Sequence, residues 1–133
     1  MLNTFCFKGP LGYIECLVEP NRSQSKAVLI MSHGFRGSRE SGGRAAGLAR
    51  LFAEHCDVVR YNFTGTQPMS KQVQELQAVV AEVRRLAPAS EIYLFGRSLG
   101  GAASLIAAAQ DKTVKGLVLW ATPNNLCETF QQV

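Results

Sequence analysis

The sequence has 133 residues, 47% of them hydrophobic and 18% charged, with 14 Lys and Arg against 10 Asp and Glu for a net charge of +4. Such a chain is too apolar for disorder and too short for a full (β/α)₈ barrel of about 250 residues, and it reads as one domain, residues 1–133, with a real core. The charge excess is mild, forms no block and comes with no zinc-finger spacing or RNA-binding signature, so no nucleic-acid partner is expected.

Met1 to Pro10 has neither a basic leading region nor a long apolar run, so no signal peptide is read there. Thr4 to Lys8 and Tyr13 to Val18 flank the turn-rich Gly9-Pro10-Leu11-Gly12 and predict an antiparallel hairpin. Pro20 to Lys26 is a polar loop. Ala27 to Ser32 (AVLIMS) is a continuous apolar run, as in a strand covered on both faces. A glycine-rich loop leads into a helix from about Gly43 to His55, where Ala45, Leu48, Ala49, Phe52 and Cys56 follow i, i+3, i+4 spacing. Arg36, Arg39, Arg44 and Arg50 gather around this loop and helix, either as a solvated face or as an anion-attracting rim.

Asp57 to Phe63 predicts the next strand, and Ser70 is placed to cap the helix that follows the loop Thr64 to Pro68. Val73, Leu76, Val80, Val83 and Ala87 form that helix's apolar stripe, and Pro88 ends it. Glu91 to Phe95 is a strand, Gly96 to Gly101 a sharp turn, Leu99 to Gln110 a helix of small residues and Lys115 to Ala121 the last strand. The longest apolar stretch, Leu99 to Ala109, is too short for the ~20 residues that span a bilayer, so no membrane association is expected. Alternating strands and helices predict an α/β fold: a doubly wound, mostly parallel sheet with an N-terminal antiparallel hairpin, about six strands and three helices. In such sheets the functional groups gather at the carboxyl ends of the strands. Cys6, Cys16, Cys56 and Cys127 show no CxxC pairing, which fits reduced thiols in a cytoplasmic protein. With histidines only at His33 and His55, neither a metal nor a cofactor is expected.

Gly96-Arg97-Ser98-Leu99-Gly100 matches G-x-S-x-G. Composition alone would produce that pattern about 0.07 times in this chain. The pattern has a physical reason. A serine on a tight strand-to-helix turn projects its hydroxyl above the sheet, and the positions two before and two after it must lack bulk because strand and helix converge there. Gly96 and Gly100 meet that need, and the amide of Leu99 at the helix N-terminus can face a developing oxyanion. A second donor is expected from the loop after the first parallel strand, His33-Gly34-Phe35-Arg36-Gly37-Ser38, where the Phe35 amide follows the small Gly34. His33 has two readings, a hydrogen-bonded anchor of this loop or a substitute base.

With its N-terminal hairpin, SHGFRGS loop, YNFTG turn and GRSLGG elbow, the chain resembles the α/β-hydrolase superfamily, near the serine esterase and peptidase-like branch with an HGF-type oxyanion loop. The resemblance implies that Ser98 is the nucleophile, that the Phe35 and Leu99 amides form the oxyanion hole, and that the substrate is a small acyl compound. It also implies eight strands and a triad in the order Ser, acid, His. No histidine follows Ser98, and the carboxylates after it are Asp111 and Glu128. Asp111 ends a helix at the wrong end of the sheet; Glu128 is either the acid or a surface residue. The core therefore reads as a truncated one, its C-terminal strands and helices missing.

Three functions remain open. The chain is a serine hydrolase acting on a carboxylic ester, an inactive hydrolase-like module that binds a partner or ligand, or one segment of a split hydrolase completed by another polypeptide. As a last strand, Lys115 to Ala121 would be an apolar open edge, so a homodimer or other pairing through it is expected. Arg97 and Arg36, at the expected pocket mouth, would favour an acidic substrate, and Arg97 in the elbow reads equally as a packed, paired residue.

Overall fold

The structure is a computed structural model that describes residues 3–34, 38–40, 43–65 and 67–122. Strand β1 (Thr4–Lys8) and β2 (Tyr13–Glu19) form the predicted hairpin, closed by the Gly9 N–H donating to the Gly12 carbonyl at 2.8 Å. There follow β3 (Ala27–Ser32), α1 (Arg44–Phe52), β4 (Asp57–Tyr61), α2 (Met69–Leu86), β5 (Glu91–Arg97), α3 (Leu99–Gln110) and β6 (Gly116–Trp120). The sheet order is β1-β2-β4-β3-β5-β6. β1, β2 and β4 pair antiparallel in turn, while β4, β3, β5 and β6 run parallel.

The sheet is covered from both sides because its strands alternate. Val28, Ile30, Ile92 and Leu94 join Val73, Leu76, Val79, Val80 and Val83 of α2 and Ala103 and Ala107 of α3 in one core. Leu29, Met31, Val58 and Phe95 point the other way, onto Ala49 and its neighbours around α1. Apolar runs without alternation therefore read correctly as two-sided strands. Among the described residues β6 hydrogen-bonds only to β5 and forms an edge, with Val118, Leu119 and Trp120 about half exposed.

Two boundaries differ from expectation. α2 begins two residues earlier than a Ser70 cap would require: Pro68 is the cap, and its carbonyl accepts the Lys71 and Gln72 amides. Proline suits that entry because its fixed φ leads naturally into a first helical turn. β4 stops at Tyr61 rather than Phe63, because the Phe63 amide leaves the ladder for a side-chain acceptor, His33.

Candidate active site

Strand β5 ends at Arg97 and α3 starts at Leu99, so Ser98 alone makes the turn. It adopts φ 53°, ψ −120°. A non-glycine residue held there costs on the order of 1–3 kcal/mol, and such strain persists only where its surroundings impose it. The surroundings are visible. The Ser98 amide donates to the Trp120 carbonyl at 2.8 Å, and the Ser98 carbonyl accepts the Gly101 amide at 3.0 Å. A Cβ on Gly96 would collide with the backbone of Gly100 and Gly101, and one on Gly100 with the carbonyls of Ser32 and His33. Strand, elbow and helix are thus in backbone contact, as the two glycines predicted. The Leu99 N–H is the first amide of α3, one of those that has no acceptor within the helix.

The loop after β3 crosses directly over the serine. A Cβ on Gly34 would lie 3.1 Å from Ser98 Cβ and 3.6 Å from its Oγ. His33 fastens this loop. The Phe63 amide donates to His33 Nε2 at 3.0 Å, so the proton resides on Nδ1, which donates to the Gly34 carbonyl at 2.8 Å. Both ring nitrogens are occupied by backbone, the anchor arrangement rather than that of a base aimed at Ser98. Burial pushes the His33 pKa down, and the Gly34 bond and the charge of Glu75 only partly oppose it.

Behind this lies a layer that sequence reasoning missed. Glu75, fully buried on α2, accepts the Thr64 amide at 2.9 Å and the Thr64 hydroxyl at 2.5 Å. It thereby holds the loop whose Phe63 amide binds His33. Ser32 Oγ and the Tyr61 hydroxyl share a buried 2.7 Å hydrogen bond beside it, and burial raises the Tyr61 pKa. The available signal was a carboxylate four residues before Val79, on the apolar side of an amphipathic helix.

A cleft of about 460 Å³, mouth included, opens beside the elbow on the α1 face of the sheet. Ser32, His33 and Arg97 line it, but Ser98 does not. Of the arginines gathered in sequence, Arg39 is committed to Glu15 at 2.9 Å and Glu40 at 3.3 Å. Arg44 lines the cleft, as does Arg60, which periodicity had assigned only to a strand.

Phe35, Arg36, Cys127 and Glu128 lie outside the described residues. His55 is exposed after α1, and its amide caps that helix end on Phe52. Asp111 caps the far end of α3; hydrogen bonds from Thr113, and then the charge of Arg84, hold its carboxyl below the usual range. The described cysteines 6, 16 and 56 are free, and burial raises the Cys16 thiol to about 12. Among the described residues no group of three or more His, Cys, Asp or Glu could hold a metal, and no helix is long and apolar enough to cross a membrane.

The family profile described as alpha/beta hydrolase fold matches residues 27–132. No curated protein is a significant match. Among solved structures, an alpha-beta serine hydrolase homologue from Coxiella burnetii is 25% identical with a TM-score of 0.80, over 90% of this chain and 62% of that one. A serine hydrolase without a lid from Xanthomonas campestris is 24% identical with a TM-score of 0.82, over 92% and 62%. An esterase from Pyrococcus furiosus is 18% identical with a TM-score of 0.84, over 95% and 53%. The chain thus spans about three-fifths or less of the length of these proteins.

Proposed function

This chain belongs to the alpha/beta hydrolase fold family, and from that premise we propose that it is a serine hydrolase of small carboxylic esters with Ser98 as nucleophile. The observation that carries the proposal is the strained Ser98 backbone, φ 53° and ψ −120°, in the G-x-S-x-G turn at the carboxyl end of β5. Attack of Ser98 Oγ on the ester carbonyl forms the acyl–oxygen bond and drives negative charge onto the carbonyl oxygen. The Leu99 amide, with that of Phe35, receives this charge. The hydroxyl proton passes to a base and from it to the departing alkoxide; water then releases the acid by the same steps in reverse order.

The base is the weak point, and one observation favours a second reading. His33 has both ring nitrogens engaged by backbone, and no histidine follows Ser98. In this reading the chain binds ligands without efficient turnover, or is completed by another polypeptide that supplies the acid and the base. Pairing through the open β6 edge belongs to both readings.

A fluorophosphonate probe and p-nitrophenyl acetate separate them. The hydrolase reading expects probe labelling that Ser98→Ala abolishes and ester cleavage above that variant. Without a base, the remaining rate enhancement would be only about 10³–10⁴ over water. No labelling and no cleavage above Ser98→Ala would end the stand-alone enzyme reading and leave the binding one.

A further inference from the structure

We propose that the cleft between α1 and the β5–β6 edge is a binding site for a small carboxylate with an apolar body, distinct from the Ser98 chemistry. Its described lining contains four arginines and no acidic residue. Arg60 is the decisive one. The residue is only 7% exposed, yet its Nε has no hydrogen-bond partner among the described residues. Its Nη1 donates to the Arg39 carbonyl at 3.0 Å and lies 3.6 Å from Glu40. The Nε atom itself is enclosed, so what the cleft meets is the charge of the guanidinium, which Glu40 faces only at 3.6 Å, and an anionic oxygen in the cleft is drawn to that charge.

The rest of the cleft agrees. Arg44 makes no ion pair among the described residues, and Arg97 is held 5.3 Å from the centre of the Trp120 ring rather than by a carboxylate. Glu40 is shared between Arg39 and Arg60, so positive charge is left over. The floor is apolar, formed by Leu48, Phe95 and Trp120, and the Phe95 and Trp120 rings meet edge-on 6.5 Å apart. Bare inorganic anions would satisfy the arginines but leave that floor wet. A carboxylate carrying an aromatic or aliphatic body uses both. Of the arginines gathered in sequence around the loop before α1, the cleft takes Arg39 and Arg44, and Arg60 and Arg97 join them from later strands.

Trp120 is the only tryptophan in the chain, so its fluorescence reports occupancy directly. Titration at fixed chain concentration uses phenylacetate, its uncharged isostere phenylacetamide, and inorganic phosphate at matched ionic strength. Phenylacetate is expected to give a saturable change, with the other two at least about tenfold weaker. Arg60→Met should weaken phenylacetate by about tenfold or more. If that variant fails to fold, judged by circular dichroism, the exposed Arg44→Gln and the half-buried Arg97→Gln together should do the same. Equal binding of phenylacetamide or of phosphate, or no saturable response, would overturn the proposal. Binding is read without turnover, so an inactive Ser98 leaves this test intact.

Discussion

His33 illustrates how a single residue was readable in kind but not in detail. Its place after an apolar strand and before Gly34 marked it as belonging to the site, but a sequence cannot show that Phe63, 30 positions on, supplies the donor to Nε2. That bond fixes the neutral tautomer, and burial lowers the ring's pKa from its ordinary 6.5. The unfolded chain therefore takes up a proton below pH 6.5 that the folded chain refuses, so stability is full above that pH and falls as pH drops through it toward the folded value. The slope from this one group is at most about 1.4 kcal/mol per pH unit. Urea unfolding at pH 7.5 and 5.5 should show the wild-type midpoint falling with acid, while His33→Asn, less stable throughout, loses that part of the difference. An unchanged pH dependence in the variant would show that His33 is not the group that titrates. Ser98 contrasts with it. Its strained turn was legible because the cause, two glycines at fixed offsets, is local.

Elements divide along the same line. The hairpin, the two-sided strands and the alternation of strand with helix were legible because each rests on periodicity within a few residues. The start of α2 was misread because Ser70 and Pro68 both favour helix entry, and the nearby carbonyl of Pro68 takes the free amides of the first turn. The Glu75–Thr64 latch was invisible for a different reason. A buried carboxylate opposes the stripe it sits in, and only the returning loop after β4 explains it. The latch joins α2 to the loop that binds His33, and so to the loop crossing Ser98. Removing the carboxylate by Glu75→Ala leaves both Thr64 groups without their acceptor and opens a cavity, for an expected loss of about 3 kcal/mol. Thr64→Val removes only the hydroxyl and should cost about 1 kcal/mol. The double variant should cost less than the sum of the two singles in urea unfolding, because the shared bond is lost only once. Additive losses would mean that the two side chains do not act as one latch.

At the scale of the whole molecule, the two sides of the sheet are unequal. α2 and α3 together cover one face, whereas α1 alone serves the other, and nothing among the described residues lies beyond β6. That edge presents unpaired backbone groups together with Val118, Leu119 and Trp120, 47%, 42% and 52% exposed. Natural edges of this kind are usually short, charged or covered. β6 is short, but its middle carries no charge. A second copy can pair with it antiparallel about a two-fold axis, and with Val118 at the strand's centre the two copies of that residue face each other across the axis. Burying the exposed half of each of these side chains is worth about 1 kcal/mol, so the expected dimer is a weak one, near micromolar. Val118→Lys sets two like charges against each other at that point, and Val118 is not itself among the residues that line the cleft. Sedimentation equilibrium should find the wild-type chain dimerising over roughly 1–50 μM and the variant monomeric. A wild-type monomer throughout that range would remove the pairing from the reading, and a dimeric Val118→Lys would move the interface to another surface.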